Sequence, residues 1–85
     1  MIELKKACEI VLKAHPYEYI FHINEYQKFY QFFLQNKGEP VTVNTFVIDT
    51  PAVNKYTGEL LDKATMIDNI FNGDYKYADV PDLEA

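Results

Sequence analysis

Tyr17-Glu-Tyr-Ile-Phe-His-Ile-Asn-Glu-Tyr-Gln-Lys-Phe-Tyr-Gln-Phe-Phe-Leu-Gln-Asn36 is the stretch on which the fold turns. Residues 17–24 alternate. Tyr17, Tyr19, Phe21 and Ile23 fall on one side of an extended chain, and Glu18, Ile20, His22 and Asn24 on the other. The pattern predicts a strand with the Tyr17–Ile23 set facing the core. The continuation reads two ways. As a helix, Asn24 would cap it with Gln27 three residues on, and Tyr26, Phe29, Tyr30 and Phe33 would form a stripe stopped by Gly38. As a strand over 28–35, Tyr30, Phe32 and Leu34 oppose Phe29, Gln31, Phe33 and Gln35, with Glu25-Tyr26-Gln27 as the turn. Four of those eight residues are aromatic, which favours the strand and a hairpin with 17–24.

Working outward, residues 2–14 have helical periodicity. Leu4, Ala7, Cys8 and Val11 share one face, widened by Ile10, Leu12 and Ala14, while Glu3, Lys5, Lys6, Glu9 and Lys13 make the wet side. His15-Pro16 ends the helix, because the residue before a proline is pushed out of the α region. On the other side, 36–40 read as a turn and 41–54 as a β-branched strand, in which Pro51 removes one ladder donor and so demands an edge or a bulge. Asn54-Lys-Tyr-Thr-Gly58 is a hairpin loop, with Gly58 in the left-handed position, and 59–61 return. Thr65-Met-Ile-Asp68 has the form of a helix cap before a short helix over 66–72, closed by Gly73. The tail 74–85 is acidic, and part of it is expected to pack as an edge strand. The expected fold is α+β in a single domain, residues 1–85: two helices on one face of a three- or four-stranded antiparallel sheet.

Composition narrows the function classes. The chain has 85 residues, a formal charge of −5, no Arg, Ser or Trp, and one Cys. An intrachain disulfide is excluded. Serine chemistry has no nucleophile. An acidic chain without Arg is a poor match for nucleic acid. No apolar run approaches the ~18–20 residues of a membrane span, and the start, Met1-Ile-Glu-Leu-Lys-Lys6, does not resemble a secretion signal. A cytoplasmic location is expected.

The segment Val53-Asn-Lys-Tyr-Thr-Gly-Glu-Leu60, the turn Gly38-Glu-Pro40 and the aromatic strands 19–35 together resemble the PepSY-like domains and small immunity-type proteins of low-GC bacteria. In these, a helix precedes an aromatic hairpin and a strand ending in an Asn-Lys-x-Thr-Gly-Glu turn. The resemblance implies a helix packed on an antiparallel sheet and a role in binding or inhibition. It carries over no catalytic residue.

Candidate chemistry is sparse. Cys8 lies on an apolar helix stripe and reads as a small buried hydrophobe, since a reactive thiolate wants exposure and a cation nearby. A zinc site from Cys8, His15 and His22 would require a helix interior, a helix end and a strand to converge. Asp68-x-Ile70-x-Asn72-Gly73 with Asp79 nearly fits a calcium loop, but Ile70 fills a ligand position and Pro81 blocks the exiting helix. No metal, cofactor or catalytic group is expected.

Charge is unevenly spread. Residues 1–37 carry five Lys and four Glu, and residues 38–85 three Lys and nine acidic residues. The acidic half also carries exposed-type tyrosines. The leading expectation is therefore a non-catalytic module docking a basic protein through Tyr56, Asp68, Asp74, Tyr75, Tyr77, Asp79 and Asp82. One alternative is a small-ligand pocket lined by Tyr19, Phe21, Tyr30, Phe32 and Phe46. Another is a homodimer or larger homo-oligomer formed through an edge strand or an aromatic face.

Overall fold

A computed structural model describes residues 1–38, 50–61 and 74–83. The expected strand residues 41–49 (with Phe46) and the expected helix 66–72 (with Asp68) lie outside the described residues. Within them the fold is α+β. Helix α1 spans Leu4–Ala14 and turns Ala7, Cys8 and Val11 inward, as the stripe predicts. The His15 N–H closes it by donating to the Val11 carbonyl at 3.0 Å.

Five strands follow: β1 (Glu18–Glu25), β2 (Phe29–Asn36), β3 (Ala52–Asn54), β4 (Leu60–Leu61) and β5 (Lys76–Ala78). They form one antiparallel sheet in the order β4-β3-β2-β1-β5. The decisive stretch is thus a hairpin, and the helical alternative for its second half falls. Part of the tail packs as an outer strand, as expected, pairing Ile23 with Ala78, Asn24 with Tyr77 and Glu25 with Lys76, and the described sheet has five strands where three or four were expected.

The expected facing of β1 requires correction. Tyr17 is 81% exposed, and of the set Tyr17, Tyr19, Phe21 and Ile23 only Ile23 joins the core, together with Ile20 from the opposite set. The cause is a bulge. Ile20 pairs with Leu34 but His22 pairs with Phe33, so Phe21 is an extra residue and the alternation reverses across it. Two isoleucines three apart thereby share the helix side. There they pack with Tyr30, Phe32 and Leu34 of β2, Val53 of β3, and Ala7, Cys8 and Val11 of α1.

The third and fourth strands are joined by the predicted loop. The Asn54 Oδ1 accepts the Tyr56 and Thr57 N–H groups at 2.8 and 3.1 Å, and Gly58 takes a φ of +75°. Pro51 lies just outside β3, and its carbonyl accepts the Phe32 N–H at 2.8 Å. The proline therefore contributes its acceptor to the pairing with β2, which needs no donor from it.

Candidate functional site

The face of β1 and β2 turned away from α1 carries a line of rings. Phe21 and Phe33 lie 6.4 Å apart between centroids. His22 meets Phe33 edge-on at 5.1 Å, and Tyr77 at 4.8 Å. Tyr77 and Tyr75 are 6.2 Å apart, and Tyr75 tilts against Tyr26 at 5.3 Å. The line therefore runs off β2, across β1 and onto β5. Such edge and tilted contacts suit the ring quadrupoles and hold each ring in place. From Tyr75 the line turns back to Tyr26 after β1, so its middle is wet and its last ring is buried. Tyr26 is 8% exposed, Tyr75 52% and Tyr77 73%.

Polar groups anchor the rings on either side of the exposed pair. The His22 Nε2 donates to the Asn24 Oδ1 at 2.7 Å. The Tyr26 hydroxyl donates to the Gln31 Oε1 at 3.3 Å, and the Gln31 amide donates to the Thr50 Oγ1 at 2.6 Å. Asn24, Gln31 and Thr50 are all buried, and among the described residues no buried side-chain polar atom lacks a partner. Burial, and secondarily the neighbouring Tyr75, hold the Tyr26 hydroxyl above its ordinary pKa.

Beside this line lies a cavity of about 370 Å³ lined by Glu25, Tyr26, Gln27, Lys55, Asp74, Tyr75 and Lys76. The buried Lys55 ammonium sits 2.6 Å from the Glu25 Oε2 and 4.9 Å from the centre of the Tyr30 ring. Lys76 reaches the other Glu25 oxygen at 4.0 Å from the exposed side. A second cavity of about 280 Å³ is lined by Tyr75, Lys76 and Tyr77. A third, also about 280 Å³, lies where tail residues Val80 and Leu83 approach Leu12, His15, Tyr19 and Ile20.

Of the predicted contact residues, Asp74, Tyr75, Tyr77, Asp79 and Asp82 are exposed on or beside β5. Tyr56 is exposed but sits on the β3–β4 hairpin, separated from β5 by β2 and β1. Its neighbour Lys55, not Tyr56, lines the cavity beside Tyr75. The alternative pocket set is not gathered. Tyr30 and Phe32 pack in the core under α1, Phe21 lies against Phe33, Tyr19 lines the tail cavity, and Phe46 falls outside the described residues. His22, Tyr26 and the Glu25–Lys55 pair were missed by sequence reasoning. The part of His22 and Tyr26 depends on β5 docking beside β1, and the Glu25–Lys55 pair on β1, β2 and β3 finding register; no local pattern in residues 17–36 carries either.

Cys8 is buried, and burial pushes its thiol up to about 11. It is therefore no thiolate nucleophile near neutral pH. Among the described residues no three His, Cys, Asp or Glu are grouped to hold a metal ion, and no helix is long and apolar enough to cross a membrane. No family model, curated protein or solved structure matches the chain.

Proposed function

We propose that the chain is a small non-catalytic protein-binding module of the inhibitor, immunity or regulatory kind. It docks a basic protein through the edge carrying Asp74, Tyr75, Tyr77, Asp79 and Asp82. One observation carries the reading: Tyr75 and Tyr77 are exposed, yet their rings are held by His22 and Tyr26 beneath them. An exposed ring that is already ordered loses little entropy on binding, which is what makes tyrosine an effective anchor. The surrounding carboxylates speed the approach of a basic partner and disfavour an acidic one.

The resemblance to PepSY-like and immunity-type domains supports the same reading. A reducing compartment suits a lone free thiol, and we assign the protein to the cytoplasm.

Capture from lysate at low and high salt tests the proposal, using the native chain and the triple variant Asp74→Asn, Asp79→Asn, Asp82→Asn. Exposed charges are screened beyond ~8–10 Å at moderate ionic strength. A genuine partner should be retained at low salt, released as salt rises, and lost from the triple variant. Retention indifferent to both salt and the three carboxylates would overturn the reading.

A further inference from the structure

We infer that the edge strand β5 is completed by an extended basic segment of the partner, which adds to it as a sixth strand. The inference rests on the binding reading above and specifies its mode. Strand β5 has β1 on one side only among the described strands. In an antiparallel pair, every second residue directs its N–H and C=O away from its neighbour, so among the described residues one side of β5 offers donors and acceptors to another strand. Proteins that recognise peptides in this way take affinity from the main chain and specificity from pockets receiving alternate side chains.

A main-chain edge and one cavity meet at β5. The cavity at Tyr75, Lys76 and Tyr77 is built by β5 and the residue before it, whereas the one at Glu25, Tyr26 and Lys55 lies on the β1 side and reaches β5 only at Lys76. Side chains on one face of an added strand would meet the Tyr75–Tyr77 cavity.

Charge selects the occupant. Asp74 precedes β5, and Asp79 and Asp82 follow it, all exposed. Against them stands Lys76, whose charge is shared with Glu25 at 4.0 Å. A second copy of this chain would bring a like acid-flanked edge against this one, which is repulsive. A strand carrying Lys or Arg would meet carboxylates at both ends and tyrosine faces between them, where a cation is also favoured.

The test uses the full chain and a synthetic, end-blocked Lys-Val-Lys-Val-Lys peptide, followed by calorimetry and by hydrogen exchange of the β5 amides. The matched control is the same peptide with its central amides N-methylated, which keeps its charge but removes its main-chain donors. The plain peptide should bind at low salt and slow exchange within 76–78, while N-methylation weakens binding by about tenfold or more. Tyr77→Ala should weaken it comparably, with the fold checked by circular dichroism. Equal binding of both peptides would overturn strand addition while leaving the acidic docking surface standing. Failure of both peptides, and of polylysine, would overturn the two together. Concentration-dependent dimerisation through β5 in light scattering would replace the basic segment with a second copy and overturn the inference.

Discussion

Cys8 shows how much one position can be read for. Its place on the stripe of α1 predicts burial, and in the fold it is fully enclosed beside Val11 and Ala7. Burial disfavours the thiolate, so the folded pKa lies at about 11 against an ordinary 9.0. Below pH 9.0 both folded and unfolded chains keep the proton, and the group has no effect on stability. Between 9.0 and about 11 the unfolded chain releases a proton that the native chain retains, so stability falls as pH rises. At ~1.4 kcal/mol per pH unit the loss cannot exceed about 3 kcal/mol. Urea denaturation of the native chain from pH about 8 to about 10 should show the decline beginning near pH 9, and Cys8→Ala should remove that part of it. Above that range Tyr26 and Tyr30, both raised chiefly by burial, add a slope of the same sign. A thiol-reactive dye should label the protein only as it unfolds; rapid labelling of the native state would contradict the enclosure of Cys8.

At the scale of elements, Lys55 joins parts of the chain that the sheet alone does not. Its N–H donates to the Lys28 carbonyl at 2.8 Å, its carbonyl accepts the Ile2 N–H at 2.7 Å, and its ammonium reaches Glu25 at the end of β1. The β3–β4 hairpin is thus tied to both the β1–β2 turn and the segment leading into α1. Removing one member of a buried ion pair strands the other, which costs more than the pair contributes. Glu25→Gln should therefore destabilise the protein by about 2–4 kcal/mol, a range lowered for the partial exposure of Glu25. The double variant Glu25→Leu, Lys55→Met should cost less than either polar loss alone, as a double-mutant cycle of urea midpoints would show; additive losses would refute the coupling. None of this was legible beforehand, because the pair spans positions whose proximity depends on three strands finding register. The hairpin of β1 and β2 was legible, since aromatic density marks a strand where helical spacing also fits. The direction β1 faces was not: strict alternation has no place for the extra residue Phe21, and only cross-strand pairing exposes it. Tyr75 and Tyr77 could be picked out as rings among acids, but the rings beneath them could not.

For the molecule as a whole, the unequal charge of the two halves acquires a shape. The near-neutral first half supplies α1, β1 and β2, while the acidic half adds β3 and β4 on one side and β5 on the other. The two interior strands of the hairpin each have neighbours on both sides, and they hold Ile20, Ile23, Phe32 and Leu34 against α1. The outermost of the described strands are short: β4 has two residues and β5 three. Short edges limit self-association, and they also open most easily, since few bonds and little apolar area hold them. Strand β5 contributes Ala78 to the margin of the core, but Lys76 and Tyr77 remain exposed. Native-state hydrogen exchange should therefore divide the sheet. The amides of Ile23 and Phe32 should exchange only through global unfolding, whereas those of 76–78 should exchange through a local opening of lower free energy that responds weakly to urea. A surface that opens before the core does can accept a partner strand without unfolding the scaffold beneath it. If the β5 amides exchanged as slowly as Phe32, and with the same urea dependence, the edge would belong to the global folding unit, and a locally opening β5 would be ruled out.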